Sequence, residues 1–172
     1  MRRSKRRPPT SESGIPLFYP LGATSDDEVS GAGFLLAVLW FDLMFDVQAR
    51  GHPVRDVPAD VRASIGAYYA RVTTAARPMN RLVALAMVTT IAAQVAELVR
   101  TDLPMWRASL SLGLTVGAVG LAAGRTVRNA MRLGRQTDDA AQQSRAAHTI
   151  RRDHVVCLGA IAAVLVLQLH PA

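Results

Sequence analysis

Two carboxylates four residues apart within an apolar run are the groups in this chain best placed to do chemistry. In Trp40-Phe-Asp42-Leu-Met-Phe-Asp46-Val-Gln48, Asp42 and Asp46 fall at i and i+4, on one face of a helix, and Arg50 prolongs the stripe. A carboxylate at membrane depth costs roughly 2.5–3.5 kcal/mol on insertion scales, so it is normally paired, neutralised or turned inward. Asp46 is expected close enough to the surface to be solvated. Asp42, one turn deeper, is expected to matter more.

The surroundings of this pair set the solvent. Four apolar stretches, about 31–48, 79–99, 104–124 and 154–170, occupy much of the 172 residues. Each approaches the ~20 residues that a helix needs to cross a bilayer. The expected fold is all-α: an integral membrane four-helix bundle with an added interfacial amphipathic helix between the first two spans. Residues 1–23 read as a disordered basic tail and 24–172 as a single membrane domain. Half of the residues are hydrophobic, yet mean hydropathy is only +0.18, because polar loops dilute the apolar blocks. The opening Met1-Arg-Arg-Ser-Lys-Arg-Arg7 lacks the apolar core of a signal peptide, since Pro8 and Pro9 follow it.

Local signals place the elements. Ser25 and Glu28 form a capping box for the first span, which is expected to stop near Gly51 and Pro53. In the segment about 59–76, Val61, Ile65, Tyr68, Tyr69 and Val72 recur at helical spacing with Arg62, Arg71 and Arg77 largely elsewhere, which suits a helix lying at the interface. Thr101-Asp102-Leu103-Pro104 is a short turn between the second and third spans, with Asp102 as a cap. Ser109, Gly113, Gly117, Gly120 and Gly124 form a stripe of small residues that permits close helix packing. Packing within the chain is the expectation for it, a homo-oligomer the alternative. The third helix is expected to end at Gly134 as C-cap, and the fourth to begin near Asp138.

Arginine sets the topology. The loop between spans one and two carries Arg50, Arg55, Arg62, Arg71 and Arg77, and that between spans three and four carries seven more from Arg125 to Arg152. These loops are expected in the cytoplasm of a bacterium, with both termini outside, although the cluster at residues 2–7 must then cross. The excess of 20 Lys+Arg over 13 Asp+Glu is thereby explained without nucleic acid. The bilayer is the expected partner, with an anionic lipid or a protein docking on the basic face.

Antiparallel helices bring their basic ends into one layer. Asp42, Asp46, Asn80, Arg81, Arg125, Asn129, Arg152, Asp153 and His154 are therefore the candidate buried polar cluster, with Asp42 paired to Arg81 or Arg125. Its simplest role is an ion-paired lock on helix register. A smaller polar group, Gln94, Glu97, Arg100, Asp102, Gln168 and His170, marks the opposite face, with Glu97 and Arg100 as a local ion pair. Thr89 and Thr90 are expected to bond back to their own helix. The lone Cys157 reads as a buried small hydrophobe. No metal and no cofactor is expected, since compact ligand motifs are missing, and no catalytic residues are assigned.

Arg77-Pro-Met-Asn80 before the second span and Arg151-Arg-Asp-His154 entering the fourth resemble the anthrone-oxygenase-like group of small four-span membrane proteins. The resemblance covers the span layout and those two motifs, and the Trp40–Asp46 segment departs from it. It implies the four-helix membrane fold and, from a few members, oxygenase activity on polycyclic aromatic substrates. The function classes are thus an accessory or structural membrane subunit, an oxygenase-like membrane enzyme acting on a lipophilic substrate, and a proton- or solute-coupled carrier in which Asp42 titrates.

Overall fold

A computed structural model describes residues 25–100 and 104–169, without the side chains of residues 25–28 and Arg100. The basic tail, the capping box, the Asp102 cap, the Glu97–Arg100 pair and His170 lie outside the described residues. Most of those described are helical, with no strand among them. In chain order they form α1 (Ser25–Asp46), α2 (Ala59–Thr74), α3 (Arg77–Arg100), α4 (Met105–Leu121), α5 (Val127–Arg135) and α6 (Ala140–Leu169). A short 3-10 turn, Val47–Ala49, follows α1, and a π-helical turn, Ala122–Thr126, joins α4 to α5.

Four stretches are long and apolar enough to cross a membrane: Val29–Ala49, Arg77–Val99, Met105–Arg135 and Ala140–Leu169. The last has 30 residues, about 45 Å of helix, longer than a hydrocarbon core of about 30 Å. The chain accordingly builds two apolar clusters along this length. Ala32, Leu35, Ala118, Cys157, Ile161 and Val164 join α1, α4 and α6. At the basic end, Ala49, Ile65, Tyr69, Ala130, Leu133, Ala147 and Ile150 join α2 to α5 and α6.

The amphipathic stripe of α2 therefore has protein beneath it. Ile65 and Tyr69 are buried, with Val61 and Tyr68 packed at the edge of the same cluster. The helices α2 and α5 touch through backbone: a Cβ on Gly134 would lie 2.9 Å from the Ala70 nitrogen, and one on Gly66 would lie 3.1 Å from the Leu133 carbonyl. Gly134 is thus needed for this approach. It does not cap the helix, because α5 runs to Arg135 and Gln136 takes the left-handed conformation at φ 54°. The start of α6 is close to expectation, with Asp139 Oδ1 accepting the Gln142 amide hydrogen at 2.7 Å as an N-cap.

The glycine stripe of α4 and the π turn after it faces the other way from the expected packing. Ser109 is exposed, and a Cβ placed on Gly113, Gly117, Gly120 or Gly124 would meet no neighbouring atom within 4 Å. The helix buries Arg107, Ala108, Ser111, Thr115 and Ala118 instead. These stand about 200° round from the glycines, two residues on at 100° each. Polar side chains turned outward in a membrane are costly, and that cost outweighs close glycine contact.

Candidate functional site

Asp46 closes the last turn of α1, where the chain turns away and α2 returns over it. It is fully buried, the reverse of the solvated position expected, whereas the Asp42 side chain keeps 18% exposure. The cause is α2, which was expected to lie at the membrane interface and which covers the end of α1. Two of its residues reach the carboxylates. The Tyr68 hydroxyl donates to Asp42 Oδ1 at 2.5 Å, and the Tyr69 hydroxyl donates to Asp46 Oδ1 at 2.7 Å. The Tyr68 ring also stacks on Phe45 with centroids 3.9 Å apart and meets the Tyr69 ring edge-on at 5.2 Å.

The third element is α6. His154 Nδ1 lies 2.6 Å from Asp46 Oδ2, and its Nε2 lies 3.8 Å from Asp42 Oδ2. With Asp46 ionised, Nδ1 has to carry the hydrogen. The second contact is an ion-pair separation and too long for a hydrogen bond. His154 therefore stands between two carboxylates, and each carboxylate also accepts from a tyrosine. Burial pushes both phenols above their ordinary range; Asp42 then adds to the rise at Tyr68 and Asp46 to that at Tyr69. Both tyrosines accordingly stay protonated and serve as donors.

Asp153, next along α6, forms a separate unit. Arg125 donates to it through Nε at 2.9 Å and through a second, shorter contact from its terminal nitrogen, a bidentate pair. The Thr126 hydroxyl lies 3.2 Å from the same carboxylate. Arg125 and Thr126 both belong to the π turn, whose wider loop brings two successive residues to one partner.

Of the nine residues expected to cluster, Asp42, Asp46 and His154 come together, and Arg125 joins Asp153 beside them. The expected pairing of Asp42 with Arg81 or Arg125 is not made: its partners are Tyr68 and His154. Arg81 and Arg152 are exposed and Asn129 is half-buried, while Asn80 donates to the Val72 carbonyl at 2.7 Å and ties α3 to the end of α2. Sequence reasoning assigned Tyr68 and Tyr69 to an apolar stripe and missed their hydroxyls. Adjacent tyrosines one helix away from an i, i+4 carboxylate pair were the available signal.

Elsewhere, Thr89 and Thr90 bond back to the Leu85 and Ala86 carbonyls as expected, at 3.0 and 2.7 Å. Cys157 is buried, its sulfur 3.5 Å from the Ala118 carbonyl. Gln94 is buried with both amide atoms lacking a hydrogen-bond partner, and Thr115 is buried with its hydroxyl likewise unpaired. Among the described residues, no group of three or more His, Cys, Asp or Glu side chains is arranged to hold a metal ion. No family model, curated protein or solved structure matches this chain.

Proposed function

We infer that the protein is a small multi-pass integral membrane protein of the accessory or structural class. In this reading its Asp–His–Tyr network staples α2 across the end of α1 and the middle of α6. The observation that carries it is the complete burial of Asp46 between two donors, Tyr69 and His154, from two different helices. A buried carboxylate with both oxygens engaged has little left to offer a substrate, whereas removing it strands two donors. The arginines at this end favour the cytoplasm for the long loops, and the cytoplasmic membrane of a bacterium is the setting that suits them. The basic face would then dock an anionic lipid or a protein partner, and the outward glycine stripe of α4 is open to a second copy.

A second reading is an oxygenase-like membrane enzyme acting on a lipophilic substrate. What favours it is His154, oriented through Nδ1 by Asp46 while Nε2 faces the partly exposed Asp42, an arrangement suited to proton exchange. Asp42→Asn separates the two. The structural role predicts a lower folded yield from membranes at equal expression. Full yield of a normally melting protein that has lost its cellular activity would instead establish a reactive site.

A further inference from the structure

We propose that the cleft between α1 and α6 at the basic end binds one acidic phospholipid, with the phosphate at Arg50, Arg151 and Arg152 and an acyl chain along Trp40, Met44 and Val155. This rests on the membrane reading above. Two adjoining hollows form the cleft, of about 470 and 340 Å³, and they share Arg151 and Val155 as a common wall. Arg50 lines one and Arg152 the other.

The order of residues along the two helices matches an amphiphile. Along α1 and the 3-10 turn that follows it, Trp40, Met44 and Val47 succeed one another at i, i+4 and i+7, and Arg50 comes directly after that turn at the basic end. On the antiparallel α6, Arg151 precedes Val155 by one turn, so its charge lies at the same end. Each wall is therefore cationic at the membrane boundary and apolar deeper in. Trp40, Met44 and Val155 are 61%, 57% and 49% exposed, so no other described part of the protein occupies that face.

Charge decides the headgroup. No carboxylate lines either hollow, and none of Arg50, Arg151 and Arg152 is ion-paired among the described residues. Arg151 Nε has no hydrogen-bond partner among the described residues. Phosphate oxygens satisfy guanidinium donors in pairs, and an acidic lipid brings that phosphate without a cation of its own. A choline headgroup would set its ammonium among three arginines. Basic pockets between membrane helices bind anionic lipid headgroups on this principle.

The test uses the full chain carrying Trp106→Phe, so that Trp40 alone reports. It is reconstituted in vesicles of phosphatidylcholine and phosphatidylglycerol, with one or the other brominated on its acyl chains. Trp40 quenching gives the relative affinity. The proposal expects phosphatidylglycerol to be preferred roughly tenfold and the preference to fall to near unity in R50Q/R151Q. R152Q, at an exposed position, should lower it several-fold if the double variant is not recovered. R128Q, on α5 away from the cleft, should leave it unchanged. Equal quenching by both lipids, an equal loss in R128Q, or abolition of the preference by an excess of inorganic phosphate would each overturn the site. Quenching by neither lipid would remove the membrane reading itself, a different outcome from quenching by both.

Discussion

Replacing Tyr69 with phenylalanine removes one hydroxyl and leaves the ring in place, so it isolates a single bond of the network. The lost bond is a 2.7 Å contact to a fully buried carboxylate. Hydrogen bonds to charged groups contribute about 1.5–3 kcal/mol, and because His154 still donates to Asp46, a cost near the lower end, about 1.5 kcal/mol, is expected. Asp46→Ala is harsher. It strands the Tyr69 hydroxyl and the His154 Nδ1 hydrogen together, and breaking a buried pair in this way costs about 3–5 kcal/mol. In that background Tyr69→Phe removes an orphaned donor, so it should cost nothing or restore stability. The double-mutant cycle should therefore show a coupling of about 1.5–3 kcal/mol. Reversible unfolding in mixed micelles of mild detergent and dodecyl sulfate, tracked by tryptophan emission, measures all four corners. Additivity within about 0.5 kcal/mol would refute the direct bond and with it the stapling of α2 to α1.

The same geometry makes two further predictions. Gly134→Ala places a methyl 2.9 Å from the Ala70 backbone nitrogen and should cost about 1–3 kcal/mol, whereas Gly117→Ala meets nothing and should be neutral or stabilise by up to about 1 kcal/mol in the same unfolding assay. Equal effects at the two positions would contradict the outward direction of the glycine stripe. Alkaline pH should also loosen the protein. Both tyrosines titrate higher when folded than when unfolded, so their contribution is complete below the ordinary phenol value of about 10 and is lost as pH rises past it. Thermal melts from pH 8 to 11 should fall above pH 10, and Tyr69→Phe should flatten that fall; a flat wild-type profile would contradict the buried phenols.

Much of the frame was legible because single-helix patterns carry it. Four apolar stretches, the Gly51 turn at φ 89° and the back-bonded threonines each depend on a few neighbouring residues. The site was only half legible. Asp42, Asp46 and His154 stood out as charges in apolar surroundings, but their partners depend on where α2 lands, and periodicity gives a helix its apolar face without saying what that face meets. The same limit explains the glycine stripe. Small residues permit close contact without compelling it, and the polar residues of α4 claimed the interior. Arg125 was identified as a partner for a buried carboxylate, but the π turn that aims it at Asp153 leaves no periodic trace in the sequence.

The most direct test of the account is where the untagged chain resides. After cell lysis and an alkaline carbonate wash, it should remain with the membrane pellet and enter solution only with detergent, as four apolar helices of this length require. A monodisperse species in the aqueous supernatant without detergent would contradict the bundle's placement in lipid and every assignment that depends on it.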